Sequence, residues 1–223
     1  MSTKTFYSNG KLLISGEYVV LDGAVSFAIP TKLGQSLTVE PMASSKLDWT
    51  SYDESGQIWY ENKFSIKDLY KEISIETDEI TKRLIQIIQT ARTLNPSFLS
   101  VTSGFKITTH LDFKKEWGLG TSSTLINNMA QWANIDAFKL LKMTFGGSGY
   151  DIACAQHNIP VTYQLHNGKP LVKEVSFNPS FKQQLYFVYL NKKQNSREGI
   201  AQYKLSKPNE LLIDAISKIS HKI

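Results

Sequence analysis

The chain lacks most of the features that announce a familiar way of handling a nucleotide or a metal. Nowhere in its 223 residues is there a G-x-x-x-x-G-K-[ST] segment, the lysine-bearing loop that wraps phosphates in many nucleotide-binding proteins. A single cysteine, Cys154, excludes an internal disulfide and fits a reducing compartment. Between Ala153 and Ala155 it reads as a small buried side chain rather than a nucleophile. Four histidines lie too far apart for zinc-ligand spacing. No apolar run approaches the roughly 20 residues needed to cross a bilayer, and the N-terminus carries no signal-like apolar core. The expectation is a cytoplasmic protein with no membrane partner. The net charge of +5 comes from scattered lysines, with only short pairs such as Lys114-Lys115 and Lys192-Lys193. That is not the dense basic stripe of a nucleic-acid binder, but it suits a small anionic substrate. A hydrophobic share of 41% against 20% charged excludes global disorder.

Periodicity divides the chain. Lys11 to Ser15, Tyr18 to Leu21, Ala24 to Pro30, Gln35 to Glu40, Leu47 to Tyr52 and Gln57 to Tyr60 read as strands, with turns at Asp22-Gly23 and Asp53-Glu54-Ser55-Gly56. Ile80, Leu84, Ile87, Ile88 and Ala91 then fall on one helical face, and Asn95-Pro96 ends that helix. Gly104 to Leu111 alternates like a half-buried strand. Helices follow from about Ser123 to Trp132, over Phe138 to Met143 and over Asp151 to Gln156. Val161 to Leu165, Leu171 to Phe177 and Leu185 to Leu190 return to strands. Asn209 to Ile219 forms an amphipathic helix with Leu211, Leu212, Ala215 and Ile219 on one face. This order is α+β rather than a regular β-α-β alternation.

Three segments could carry chemistry. Gly118-Leu119-Gly120-Thr121-Ser122-Ser123 stands immediately before an apolar helical segment. Glycines let main-chain N–H groups approach an anion, and a helix start adds partial positive charge. It is a phosphate cradle or a plain strand-to-helix turn. A Rossmann fingerprint would want glycine where Ser123 stands. Gly146-Gly147-Ser148-Gly149-Tyr150-Asp151 resembles a nucleophile elbow, but Tyr150 occupies the last glycine position. Asp151 is either a carboxylate presented into a cleft, able to take a proton from a hydroxyl, or a helix N-cap. Lys11, after Asn9-Gly10, could lean over an anion or hold a carboxylate ionised. Otherwise it is a solvated strand-end lysine.

Together the three resemble the GHMP kinases, the superfamily of galactokinase, homoserine kinase, mevalonate kinase and phosphomevalonate kinase. Ser8 to Tyr18, with Gly10-Lys11 and Gly16-Glu17-Tyr18, resembles the motif P-G-K-x-x-L-x-G-E-H/Y. Trp117 to Thr124 resembles G-L-G-S-S-A-A. Ser148-Gly149-Tyr150-Asp151 resembles the S-G-x-D of the mevalonate-kinase branch, and Asn195-Ser196-Arg197 is similar to its N-T-R segment. The motifs stand in family order. The resemblance implies a GHMP-kinase-like fold, with an ATP-binding domain over residues 1–180 and the start of a truncated C-terminal subdomain over 181–223, lacking the third glycine-rich motif. It implies ATP and Mg²⁺ as cofactors and a small acid alcohol, mevalonate or phosphomevalonate, as acceptor, and it leaves a homodimer open. Gly118, Leu119, Gly120, Thr121, Ser122 and Ser123 would wrap the ATP phosphates, with Ser122 nearest the metal. Asp151 would be the catalytic carboxylate and Lys11 its cationic partner. Glu17, Tyr18, Ser148 and Arg197 would line the acceptor pocket. The glutamate that helps hold Mg²⁺ in mevalonate kinase has no counterpart over Ala137 to Lys142, the nearest upstream carboxylate being Asp136. That departure, with the missing third motif, favours one alternative, a non-catalytic nucleotide-binding module; a kinase of a sugar or homoserine is a further alternative that keeps the reaction and changes the acceptor.

Overall fold

The computed structural model describes residues 2–71, 77–100, 103–190, 196–206 and 209–223. Seven strands form one sheet: β1 (Lys4–Ser15), β2 (Ser26–Met42), β3 (Lys46–Tyr52), β4 (Ile58–Ser65), β5 (Gly104–Leu111), β6 (Val161–His166) and β7 (Lys169–Glu174). Their order is β4-β3-β5-β2-β6-β7, and β1 lies along the other edge of β2. Only β3 and β5 run parallel; the other pairs are antiparallel.

The long β2 organises the sheet. Sequence reading expects two strands over 24–30 and 35–40, yet the chain continues through both. It absorbs the break in a bulge, where Asn9 pairs with Gly34 and Gly10 with Thr31. Such a bulge bends a strand without ending it. One edge of β2 then serves β5 along Gln35–Met42 and β6 along Ser26–Ala28.

Alternation sets which face is dry. Leu37 and Val39, Leu47 and Trp49, and Phe105 and Ile107 are buried, while Glu40, Asp48 and Lys106 stand on the opposite, wetter face. Helices α1 (Glu79–Leu94), α2 (Thr121–Ala133), α3 (Ala137–Thr144) and α4 (Tyr150–Gln156) cover the apolar side. In α1 the expected stripe of Leu84, Ile87, Ile88 and Ala91 is buried, but Ile80 is 49% exposed. Asp78 begins α1 and Asp136 begins α3, each accepting main-chain N–H bonds. N-caps of this kind contribute about 1 kcal/mol.

Three sequence expectations need correction. Tyr18 to Leu21 is not a strand: Val19–Asp22 forms one 3-10 turn that Gly23 closes in a left-handed conformation, and Val19 and Val20 are buried. A four-residue apolar run does not distinguish a strand from a buried turn by its period. Leu185 to Leu190 forms no strand either. Leu185, Tyr186, Phe187, Val188 and Leu190 are all exposed, and Phe187 and Tyr189 lie against Trp117. The contacts are side-chain rings rather than a backbone ladder, and a strand exists only with a partner. The third is α5 (Ser196–Ser206), which has no clear apolar period and was not anticipated.

The chain finishes in α6 (Glu210–Lys222), begun by Asn209. It docks through Ser217 and Ser220. Ser217 Oγ accepts from the Val25 N–H at 2.9 Å, and Ser220 Oγ donates to the Val25 carbonyl at 2.6 Å. Leu211, Leu212 and Ile219 therefore face outward, 79%, 44% and 51% exposed, with Ala215 beside them.

Candidate functional site

The glycine loop is built by two left-handed turns. Gly118 has φ 74°, ψ 15° and Gly120 has φ 96°, ψ 42°, conformations that glycine adopts without a steric penalty. At Gly120 there is a second constraint. A Cβ there would lie 2.7 Å from Ser123 Oγ and 3.2 Å from Lys11 Cγ. The Lys11 stem thus crosses directly over the loop, and the Lys11 N–H donates to the Leu119 carbonyl at 2.9 Å. No side chain caps the start of α2, so its first N–H groups remain available, with the helix dipole behind them.

Successive residues on the first turn of α2 point in different directions. Thr121 and Ser122 line a cavity of about 490 Å³. Ser123 is buried; its hydroxyl donates to the Gly120 carbonyl at 2.9 Å and also reaches Asp151. The loop therefore has the cavity on one side and Asp151 on the other.

On the Ser123 side stands Asp151. It is not an N-cap, because Gly149, at φ 92°, occupies that position, and Asp151 is the second residue of α4. The Ile152 N–H donates to its Oδ1 at 3.1 Å. Burial pushes the carboxyl above the usual carboxylate range, opposed by Lys11, by main-chain N–H groups and by Ser123. Lys11 Nζ lies 5.4 Å from the centre of the Tyr150 ring. Burial also lifts the Tyr150 phenol well above its usual value, with further contributions from Glu17, Asp151, Cys154 and Tyr18. Val20, in the turn that Tyr18 leads into, packs in one cluster with Tyr150, Ala153 and Cys154, which brings that turn against α4. Ser148 joins them through its carbonyl, which accepts from the Tyr163 hydroxyl. Cys154 is buried and its thiol is pushed up to about 12, so it stays neutral and inert, as its sequence setting suggested.

Tyr18 has φ 61°, ψ −46°, and the Val19 N–H donates to the Glu17 carbonyl at 2.8 Å. This is a γ-turn of the strained hand, rare for a residue with a side chain. Arg197 belongs to the first turn of α5, but its side chain, like Asn195, lies outside the described residues.

A buried polar network fixes α2 and α4 relative to the sheet. Thr124 Oγ1 donates to Gln35 Oε1 at 2.7 Å, and Asn128 Nδ2 to the Gln35 carbonyl at 2.9 Å. Ser8 Oγ donates to Asn128 Oδ1 at 2.7 Å and accepts from Asn127 Nδ2 at 2.8 Å. Gln156, on α4, donates to Asn127 Oδ1 at 3.0 Å. Sequence reading missed this network, since Gln35, Asn127 and Asn128 resemble ordinary surface polar residues.

It also missed the cavity on the Ser122 side. Residues of β3 to β5, α1 and the glycine loop enclose it, among them Trp49, Trp59, Tyr60, Arg83 and Lys115. Lys115 Nζ lies 4.3 Å from the centre of the Trp59 ring, and the buried Trp59 Nε1 has no hydrogen-bond partner among the described residues. Flat aromatic walls with a few polar groups suit a planar heterocycle. The sequence held one signal for it, a tryptophan on a short strand and a lysine pair just before the glycine loop.

The residues fit a nucleoside triphosphate: uncapped N–H groups, Lys11 over the loop and an aromatic cavity at one end. They fit Mg²⁺ only as a metal carried largely by phosphate and water. Among the described residues no three His, Cys, Asp or Glu side chains cluster to hold a metal, and Asp136 is committed to capping α3. Magnesium tolerates few protein ligands, and Ser122, exposed on the cavity side, is the hydroxyl placed to serve.

By sequence, no family model and no curated protein matches the chain. By structure there are strong likenesses. Mevalonate kinase from Methanococcus jannaschii superposes with a TM-score of 0.67 at 15% identity, covering 100% of this chain and 73% of that one. L. major mevalonate kinase in complex with R-mevalonate gives 0.64 at 16%, covering 98% and 67%. A D-glycero-D-manno-heptose 1-phosphate kinase from Bacteriodes thetaiotaomicron gives 0.59 at 16%, covering 79% and 60%.

Proposed function

We propose that this chain, whose α+β fold is that of the GHMP kinases, transfers the terminal phosphoryl group of ATP to a hydroxyl or phosphate oxygen of a small acid, mevalonate or phosphomevalonate. One observation carries the reading. The first turn of α2 sends Ser122 into the aromatic-walled cavity and Ser123 toward Asp151. A triphosphate lying across that turn would reach from the cavity toward Asp151. Its nucleoside would rest against Trp59 and its γ-phosphate would end near Lys11 and Asp151.

The chemistry asked of the protein is then positioning and charge neutralisation. Main-chain N–H groups over 118–123 hold phosphate oxygens, and Lys11 neutralises charge from above. For a hydroxyl acceptor, Asp151 takes its proton as the oxygen bonds to phosphorus and the bond from phosphorus to the ADP oxygen breaks; an acceptor phosphate attacks through an oxygen that is already ionised. Burial raises the basicity of that carboxylate, and Lys11 with the α4 N–H groups supports its ionised form. Mg²⁺, carried in with the nucleotide and touched by Ser122, would screen the phosphates. Glu17, Tyr18, Ser148 and Arg197 are the proposed acceptor-side residues. The two-domain reading, 1–180 and 181–223, and a cytoplasmic setting belong to the same proposal; no described helix is long and apolar enough to cross a membrane.

The scarcity of metal-binding carboxylates favours a second reading, a nucleotide-binding module without turnover. An ADP-release assay with Mg·ATP and a panel of mevalonate, phosphomevalonate, galactose and homoserine separates the two. Acceptor-dependent ADP release that vanishes in Asp151→Asn supports the kinase. ATP binding without release for any acceptor rejects it in favour of the module.

A further inference from the structure

The helix that sequence reading missed approaches the site at its most strained residue. From α5, the Tyr203 ring stacks on the Tyr18 ring, centroids 5.7 Å apart and planes within 21°. The Tyr203 hydroxyl donates to Asp22 Oδ2 at 2.6 Å, across 181 residues of sequence. Gly199, one turn earlier on α5, lies so close to Tyr18 that any Cβ there would collide with the phenol oxygen. Tyr18 is therefore gripped on its ring, at its tip and, through Asp22, at the far end of its own turn.

A positive-φ tyrosine persists only where its surroundings over-determine it. Tyr203 and Gly199 supply that determination, and α6 reinforces it. Ser220 bonds Ser15 at 2.8 Å and Ser217 bonds Val25, so the two C-terminal helices bracket 15–25. Nothing about the nucleotide compartment requires this arrangement. Its consequence falls on Glu17 and Tyr18, which lead into Val20; Val20 packs in one cluster with Tyr150, Ala153 and Cys154 of α4, and Tyr150 directly precedes Asp151.

We propose that Tyr203 is a positioning residue: from α5 it clasps the γ-turn at Tyr18 and so fixes the acceptor side of the site, independently of the nucleotide side. The acceptor half of this statement rests on the phosphoryl-transfer reading; the clasp itself does not. Without the clasp, Tyr18 relaxes toward negative φ and α5 lifts from the turn. Acceptor affinity then falls while nucleotide affinity holds.

Two measurements on the full chain test it, using wild type, Tyr203→Phe and Tyr203→Ala. Amide hydrogen exchange followed by mass spectrometry should show about tenfold faster exchange over 17–25 and 196–206 in Tyr203→Ala. Tyr203→Phe, which keeps the ring and loses the Asp22 bond, should fall between, and exchange over 118–133 should be unchanged in both. Steady-state kinetics should show acceptor KM raised about tenfold in Tyr203→Ala and partly recovered in Tyr203→Phe, with ATP KM within about twofold of wild type. Unchanged exchange over 17–25 in Tyr203→Ala overturns the clasp. Altered exchange with an unchanged acceptor KM overturns its role in the site. If wild type turns over no acceptor, the phosphoryl-transfer reading and the acceptor half fall together, while the exchange result still decides the clasp.

Discussion

Replacing Gly120 by alanine adds one methyl group, and the structure specifies what it meets. At φ 96° an L-residue sits in the left-handed region, at a cost of roughly 1–2 kcal/mol. The new Cβ would stand 2.7 Å from Ser123 Oγ and 3.2 Å from Lys11 Cγ. Ser123 must swing away and lose its bond to the Gly120 carbonyl, a further 0.5–1.5 kcal/mol or so. The sum, about 1.5–3.5 kcal/mol, corresponds to a Tm lowered by about 3–14 °C for a chain of this size. Gly118→Ala is the control. Its φ of 74° carries the same backbone cost, but its Cβ would meet nothing within 4 Å. The two variants should therefore share the strain and differ in the displaced Lys11 and Ser123. In calorimetry with Mg·ATP, Gly120→Ala should weaken binding about ten- to hundredfold, the loss of one charge-assisted contact, and Gly118→Ala by much less. Equal effects of the two on both Tm and affinity would refute the placement of Lys11 over the loop.

Two other perturbations probe the neighbourhood. Asp151→Asn should abolish transfer yet raise Tm near neutral pH, because burial lifts the Asp151 carboxyl and the folded state favours its protonated form. The sign follows from linkage. The stability that the protonated carboxyl contributes is present below the ordinary carboxylate value and is lost as pH rises through the raised folded-state value. The gain in Asp151→Asn should thus be absent at low pH and appear above that window in thermal melts taken across pH. Thr124→Val leaves Gln35 Oε1 without its buried donor, at a cost of about 1–3 kcal/mol in urea unfolding, whereas Thr121→Val, on the half-exposed cavity side, should cost less.

How much was legible in the sequence depends on whether a residue's role is local. α1, β5 and the start of α2 were readable because period and turn chemistry are written along the chain. Lys11, Gly120, Ser123 and Asp151 were readable as a set only through the resemblance, and the structure brings them together across β1, α2 and α4. The cavity was not legible: Trp59 and Lys115 are 56 positions apart in number and meet only when β4 lies beside the loop. The Leu185 to Leu190 run shows the reverse failure, since it is apolar throughout, as a buried strand is, yet pairs with none of the described strands. Tyr18 read as strand because an apolar run cannot report a positive φ, which here is held by Tyr203 from the opposite end of the chain.

The central claim is that amides over 118–123 hold a triphosphate whose base rests beside Trp59. A titration of the ¹⁵N-labelled chain with a magnesium-bound, non-hydrolysable ATP analogue addresses it directly. The account predicts that the largest shifts fall on the Gly118 to Ser123 amides and on the indole N–H of Trp59. Saturable shifts that spare both groups, or none at all at millimolar analogue, would contradict it.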